Sequence, residues 1–326
     1  MGLRRLLAAA IPLLLCTLPT NADEGAATGA SFASGASGWQ VAGQQGQLVV
    51  RADGKEVLRY QLTRPADSKL PVDSACYFHP VMTPSGVVMT DVAPGDHKHH
   101  RGIFLAWVET HGKKDADFWG WGEPAPVKDR RIFNRGIGGS SASSSRGATF
   151  SVGNEWVAEG ERVLTEDLSV ATTVAPAAKA NVIDLTYTLT PEHDLTLSRW
   201  AFSGFCVRTR GDGKLTAYGP QGEVKLPNPS HVKPESDWPA APWYGYTLAF
   251  DDGKVGGVAV VNHPDNPPAL WHNHRDVRML NPCIVAPAEV KLKAKQPLVL
   301  RYRVVVHDGQ TPVEALNKLA AEWKGK

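Results

Sequence analysis

The sequence predicts a mainly β chain: a large antiparallel β-sandwich with one closing C-terminal helix. Three observations predict it. Short stretches of alternating apolar and polar residues recur from Trp39 onward, the pattern of half-buried antiparallel strands. Asp-Gly turn signals punctuate them, and only the last segment has helical spacing. Residues 48–51 and 57–60 flank Asp53-Gly54, and residues 246–250 and 255–261 flank Asp252-Gly253, so each set reads as a hairpin. Residues 148–157, 162–174, 182–190 and 298–306 continue the alternation. Near the end, Thr311-Pro312-Val313-Glu314 supplies a capping Thr, a Pro at the first helical position and a Glu at the third. Leu316, Leu319, Ala320 and Trp323 then share one helical face. Many strands and one helix about 311–324 fit two packed sheets. The run of small residues 140–145 reads as a surface loop.

The N-terminus reads as an address. Arg4 and Arg5, an apolar stretch over 6–18 and small residues up to Ala22 form a secretory leader over 1–22. A flexible Ala/Gly/Ser lead-in over 23–38 follows, then a single domain over 39–326. The chain has 35 Lys and Arg against 33 Asp and Glu. Loss of Arg4 and Arg5 with the leader leaves 33 of each, so nothing draws the mature chain to nucleic acid or anionic lipid. After the leader no apolar run reaches the roughly 18 residues of a membrane span. The expectation is an exported protein, periplasmic or extracellular, without a transmembrane span and without a nucleic-acid partner. Its oligomeric state is left open by composition. N-terminal sequencing of the protein from its host should begin at or near Asp23; an intact Met1 would overturn export. Cys76, Cys206 and Cys283 allow at most one bridge, and none lies in a CxxC pair. They read as small buried hydrophobes.

Three clusters could carry chemistry. The densest is Asp96-His97-Lys98-His99-His100-Arg101-Gly102. In an extended segment His97, His99 and Arg101 would share one face. An H-x-H pair can hold a divalent metal such as zinc, copper or iron with a third ligand from elsewhere. Alternatively an imidazole moves a proton near neutral pH while Arg101 holds an anion. The plain alternative is a loop packed by hydrogen-bonding histidines. The second cluster is Asn262-His263-Pro264 with Trp271-His272-Asn273-His274-Arg275-Asp276. Its His272 and His274, with His97 and His99, are the candidate metal ligands. The third is aromatic: Asp117-Phe118-Trp119-Gly120-Trp121-Gly122. Trp faces stack on sugar rings, and carboxylates bind hydroxyls; the plain alternative is that these Trp are core.

On Tyr77-Phe78-His79-Pro80-Val81, Thr83-Pro84-Ser85-Gly86, the Asp96–Gly102 cluster, Asp117-Phe118-Trp119, Asn262-His263-Pro264-Asp265-Asn266-Pro267, Trp271-His272, Arg275-Asp276 and Asn281-Pro282, the chain resembles the exported bacterial PmoA-like family. Lys98 stands between histidines where the family pattern has Pro. The resemblance implies an exported β-sandwich, often from bacteria that degrade complex polysaccharides, with an architecture similar to the supersandwich of galactose mutarotase relatives. It does not imply methane oxidation, because a true subunit of that name spans the membrane several times.

Together these readings nominate a sugar or oligosaccharide ligand. His97, His99, His100, Arg101 and His79 are the candidate catalytic groups. Asp96, Asp117, Trp119, Trp121, His263, Trp271, His272 and Arg275 are the candidate substrate-binding groups. Hydrolysis, elimination and epimerisation stay open, since no carboxylate pair at the roughly 5 Å a retaining hydrolase needs stands out among Glu109, Asp117, Glu223 and Asp276. A metal-dependent enzyme and a non-catalytic sugar-binding module are the alternatives. A further expectation is geometric: the His97–His99 loop and the segment from His263 to Asp276 form one site.

Overall fold

The computed structural model describes residues 37–121, 130–143 and 147–323. The expected leader and nearly all of the lead-in lie outside these residues, as does Gly122 of the aromatic segment. Two antiparallel sheets dominate. The nine-stranded sheet runs Gly222–Glu223, Lys214–Gly219, Trp243–Ala249, Val255–Asn262, Leu298–Asp308, Ala180–Pro191, Glu161–Ala175, Gly147–Ala158 and Arg130–Ser143 in spatial order. The seven-stranded sheet runs Trp39–Gln44, Gln47–Ala52, Lys55–Gln61, Phe78–Val81, Ile103–Ala106, Gly204–Arg208 and Met279–Leu280. The mainly β sandwich expected from the alternation is what forms, and both hairpins are present. Asp53 and Gly54 both take positive φ between their strands, as a tight hairpin turn demands.

The sandwich is filled by side chains from both inner faces. Tyr60 meets Phe150 at 6.0 Å between ring centroids, and Phe205 stacks on Tyr302 at 4.1 Å. Val182, Val261 and Val305 point the other way and would meet water, yet all are buried. The helix Val313–Trp323 covers them with Leu316, Ala320 and Trp323, one turn apart along a single face. The central strands are therefore buried on both sides. The capping role expected of Thr311 differs: its hydroxyl bonds Thr247 Oγ1 at 2.6 Å, while its carbonyl accepts from Val313 N at 3.0 Å.

The loop expected over 140–145 differs over 140–143, while 144 and 145 lie outside the described residues. Ser140 to Ser143 complete the edge strand, with Ser140 opposite Phe150 and Ser143 opposite Gly147. Backbone pairing with a neighbour outweighed the weak strand preference of Ser. Cys76, Cys206 and Cys283 are free and buried, matching the small-hydrophobe reading. Among the described residues no helix is long and apolar enough to cross a membrane.

Candidate functional site: a histidine-walled cavity at the edge of the smaller sheet

Backbone pairing assembles the site. Val207 pairs with Ile103 on one side and Leu280 on the other, and Arg208 with Met279. Single bridges join Arg101 to Val92 and His274 to Met279. The residues just before Ile103, those at the end of Gly204–Arg208 and those just before Met279 therefore lie side by side. Gly102 makes the approach possible: its φ is +57° and a Cβ there would fall 2.0 Å from Phe78 O. No side chain fits.

The histidine loop is not extended, so its side chains do not alternate as expected. A turn closed by His100 N on His97 O at 3.0 Å gathers the imidazoles and sends Arg101 inward. His97 stacks on His100 at 4.8 Å, and His99 sits edge-on to His100 at 4.7 Å. Arg208 Nη1 donates to His100 Nδ1 at 3.2 Å. Because guanidinium can only donate, His100 Nδ1 must be the acceptor and Nε2 carries the hydrogen. Burial, then the charges of neighbouring histidines and arginines, pushes His99 down to about 3 and His100 well below the usual imidazole range. Both are neutral at pH 7.

The opposite wall comes from Phe202, Val277, Met279 and, backed by the second histidine segment, a residue that sequence reasoning missed, His231. It stacks face to face on His274 at 4.6 Å and lies edge-on to Phe202 at 5.6 Å. Its Nδ1 is 3.0 Å from His272 Nε2, and His272 Nδ1 is 2.6 Å from Asp237 Oδ1. This is a hydrogen-bonded chain from a buried carboxyl through two imidazoles. Burial pushes the Asp237 carboxyl up to about 8, helped by the charge of Glu235. Burial alone pushes His272 down to about 3, and burial with His231 and His272 pushes His274 down to about 4. An uncharged Asp237–His272 pair sharing one proton is favoured. Between the walls, Trp119 touches both His100 (5.7 Å) and Phe202 (5.5 Å). Together His97, His99, His100, Trp119, Phe202, His231, Val277 and Met279 line a cavity of about 260 Å³.

The other nominated residues are placed as follows. Arg101 is fully buried: it donates to the carbonyls of His99, Phe118 and Trp119 at 3.0–3.2 Å, and Phe104 and Trp121 lie against it at 4.2 and 4.4 Å. It holds the loops and is not a wall of the cavity. Trp121, 8% exposed, serves as that stacking partner, so of the two expected cleft tryptophans only Trp119 reaches the cavity. Asp117 is buried and accepts from the N–H groups of Trp119 and Gly120 at 2.8 Å. Trp271 is core, fully buried and edge-on to Tyr244 at 5.1 Å. His79 is half-buried, with Nδ1 2.9 Å from Thr90 Oγ1. Asp96 and Arg275 line a separate open cleft beside the cavity.

His263 is elsewhere. It packs edge-on to Trp323 at 4.9 Å, under the helix on the outer face of the nine-stranded sheet. The two histidine segments are thus joined by way of His231, which shares the cavity with His97, His99 and His100 and is backed by His272 and His274, and the expected share of His263 is corrected: the chain passes beneath the helix there. Among the described residues no group of three or more His, Cys, Asp or Glu is arranged to hold a metal ion. His97 Nδ1 is instead 3.0 Å from Asp96 Oδ2, and both ring nitrogens of His272 are taken by Asp237 and His231.

The fold and the site define a β-sandwich protein with an imidazole-walled cavity at one sheet edge. Residues 47–321 match the family of unknown function DUF6807, and the chain belongs to that family. No curated protein matches its sequence. Similar solved structures include the α-galactosidase of Lactobacillus brevis (10% identity, 87% of this chain and 41% of that one, TM-score 0.42). The heparan sulfate lyase HepC of Pedobacter heparinus is another (10%, 85% and 36%, 0.37), and the GH36 α-galactosidase AgaA of Geobacillus stearothermophilus a third (10%, 84% and 41%, 0.35). The chain spans about two fifths of the length of these larger proteins.

Proposed function

We propose that this chain is an exported, PmoA-like carbohydrate-active enzyme that moves a proton on a sugar held in the histidine-walled cavity. The observation that carries the reading is the chain Asp237–His272–His231, which runs from a buried carboxyl to a cavity-lining ring. His231 Nδ1 is taken by His272, which leaves Nε2 for a ligand. When Asp237 is ionised, His272 Nδ1–H donates to it and His231 Nδ1–H donates to His272, so His231 Nε2 has a free lone pair. On taking a substrate proton there, His231 passes its Nδ1 proton to His272, and His272 passes its own to Asp237. No imidazolium need persist in a site that disfavours charge.

The released electron pair stays on the substrate, which is stable only where the carbon is next to a carbonyl or carboxylate. Return of a proton from the His99/His100 wall gives epimerisation, and loss of a group from the next carbon gives elimination. Hydrolysis by paired carboxylates fits less well, because no Asp or Glu is among the described residues lining the cavity. Size and chemistry support a sugar. A cavity of about 150 Å³ holds one benzene ring, so this one, at about 260 Å³, takes one six-membered ring with substituents. Trp119 and Phe202 offer apolar faces to its C–H side, and imidazole nitrogens face its hydroxyls.

Incubation of the mature protein in D₂O with a panel of neutral sugars, keto-sugars and uronates, followed by NMR, tests the reading. Loss of one C–H signal, or appearance of an unsaturated product, is expected with at least one of them. Binding seen by Trp fluorescence without exchange or product would leave a binding module, and no binding at all would end the sugar reading.

A further inference from the structure

We infer that the open cleft beside the cavity is a subsite for the carboxylate or sulfate groups of an acidic oligosaccharide. This rests on the sugar reading of the cavity and names its substrate class. The cleft, about 920 Å³, is lined by Arg208, Lys214, Arg275 and Arg278 against only Asp96 and Asp276. Both carboxylates are engaged: Asp96 accepts from Arg208 Nη2 at 2.8 and 3.0 Å, and Asp276 from Asn228 Nδ2 at 2.8 Å. Four cations therefore face two occupied anions.

The arginines carry the argument further. Arg208 is 2% exposed, yet its Nε has no acceptor, and neither has the buried Nη1 of Arg278. Arg278 Nη2 donates to Gly213 O at 3.1 Å. Burial and then the nearby Arg208 charge lower the Arg278 pKa from the usual guanidinium value. Two like charges held together in partly buried surroundings are costly, and an oxyanion in the cleft beside them offsets that repulsion. Arg208 joins the two spaces, since the same guanidinium holds His100 in the cavity wall and Asp96 in the cleft. A sugar in the cavity would thus place the acidic groups of the adjoining unit over Arg278 and Lys214. The near-balanced charge of the chain, 35 basic to 33 acidic residues, argues against a long polyanion tracked along the surface.

Calorimetry of the intact protein with tri-galacturonate, its carboxyl-reduced neutral counterpart, a sulfated trisaccharide and inorganic sulfate tests the inference. At least one acidic trisaccharide is expected to bind tenfold or more tighter than the neutral one, with the advantage shrinking as salt rises. Which acidic sugar wins distinguishes carboxylate from sulfate. Arg278→Gln should erase most of the advantage, and Arg278→Lys should restore part of it. Lys214→Gln, on an exposed side chain, repeats the test should Arg278→Gln not fold. Equal affinity for acidic and neutral sugars would overturn the subsite and leave the sugar reading standing. Sulfate binding as tightly as the acidic trisaccharides would also overturn it, by showing a bare anion site. No binding of any trisaccharide would bring down both readings.

Discussion

Replacing Asp237 by Asn is expected to slow proton transfer by about 10²- to 10⁴-fold, the usual contribution of a positioned acid or base, with little change in sugar affinity. The substitution is close to isosteric, so His272 and His231 keep their places and the cavity its shape. What is lost is the proton acceptor at the buried end. An amide cannot take the His272 Nδ1 proton, so His231 can accept one at Nε2 only if a positive charge stays on one of the two imidazoles. Burial, and then the neighbouring His272 and His97, which already depress His231, oppose that. The pH profile separates this from a structural role. In the natural protein the base form of the chain requires an ionised Asp237, whose carboxyl is pushed up to about 8. The rate of C–H exchange should therefore climb with pH and level off above about 8. In Asp237→Asn that limb should vanish, whereas a merely loosened site would keep its shape at lower amplitude. Wild-type exchange in the variant would sink the relay.

Much of the fold could be read from the sequence because its signals are local. Asp53-Gly54 and Asp252-Gly253 can hardly be anything but turns between their flanking strands, and Thr311-Pro312 opens a helix whatever the rest does. The site was legible only in part, for a physical reason. Spacing shows that His97, His99 and His100 cluster, but not whether the segment is extended or turned; the turn decides which side chains share a face. Burial is non-local as well. Trp119 and Trp121 look alike in sequence, yet one reaches the cavity and the other stacks on Arg101. His231 and Asp237 lie in a Pro- and Ser-rich loop with no local pattern. The one available signal was indirect: His272 and His274 needed partners, and a lone His and an Asp six residues apart in a polar loop were candidates to supply them.

Truncation of Arg101 to Ala should cost about 3–5 kcal/mol of stability, in the range for large buried side chains whose removal leaves both a void and unpaired polar groups. The guanidinium is fully buried and is the common acceptor-seeking point of three backbone carbonyls, those of His99, Phe118 and Trp119. Its removal strands all three and leaves Phe104 and Trp121 facing a gap, with the loss of two cation–π contacts. Arg101→Lys should recover only a small part, because an ammonium cannot lie flat between two rings while reaching carbonyls on two loops. Urea unfolding at pH 7 measures the cost, and a loss below about 1 kcal/mol, the size of an ordinary hydrogen bond, would show that the loops hold without it. A second readout ties this pin to function. The same bonds join the histidine turn to the segment bearing Trp119, so Arg101→Ala at a temperature where it stays folded should weaken sugar binding, although Arg101 itself does not line the cavity. Unchanged affinity in that folded variant would mean that the two walls are positioned independently, by the strand register of Ile103, Val207 and Leu280 alone.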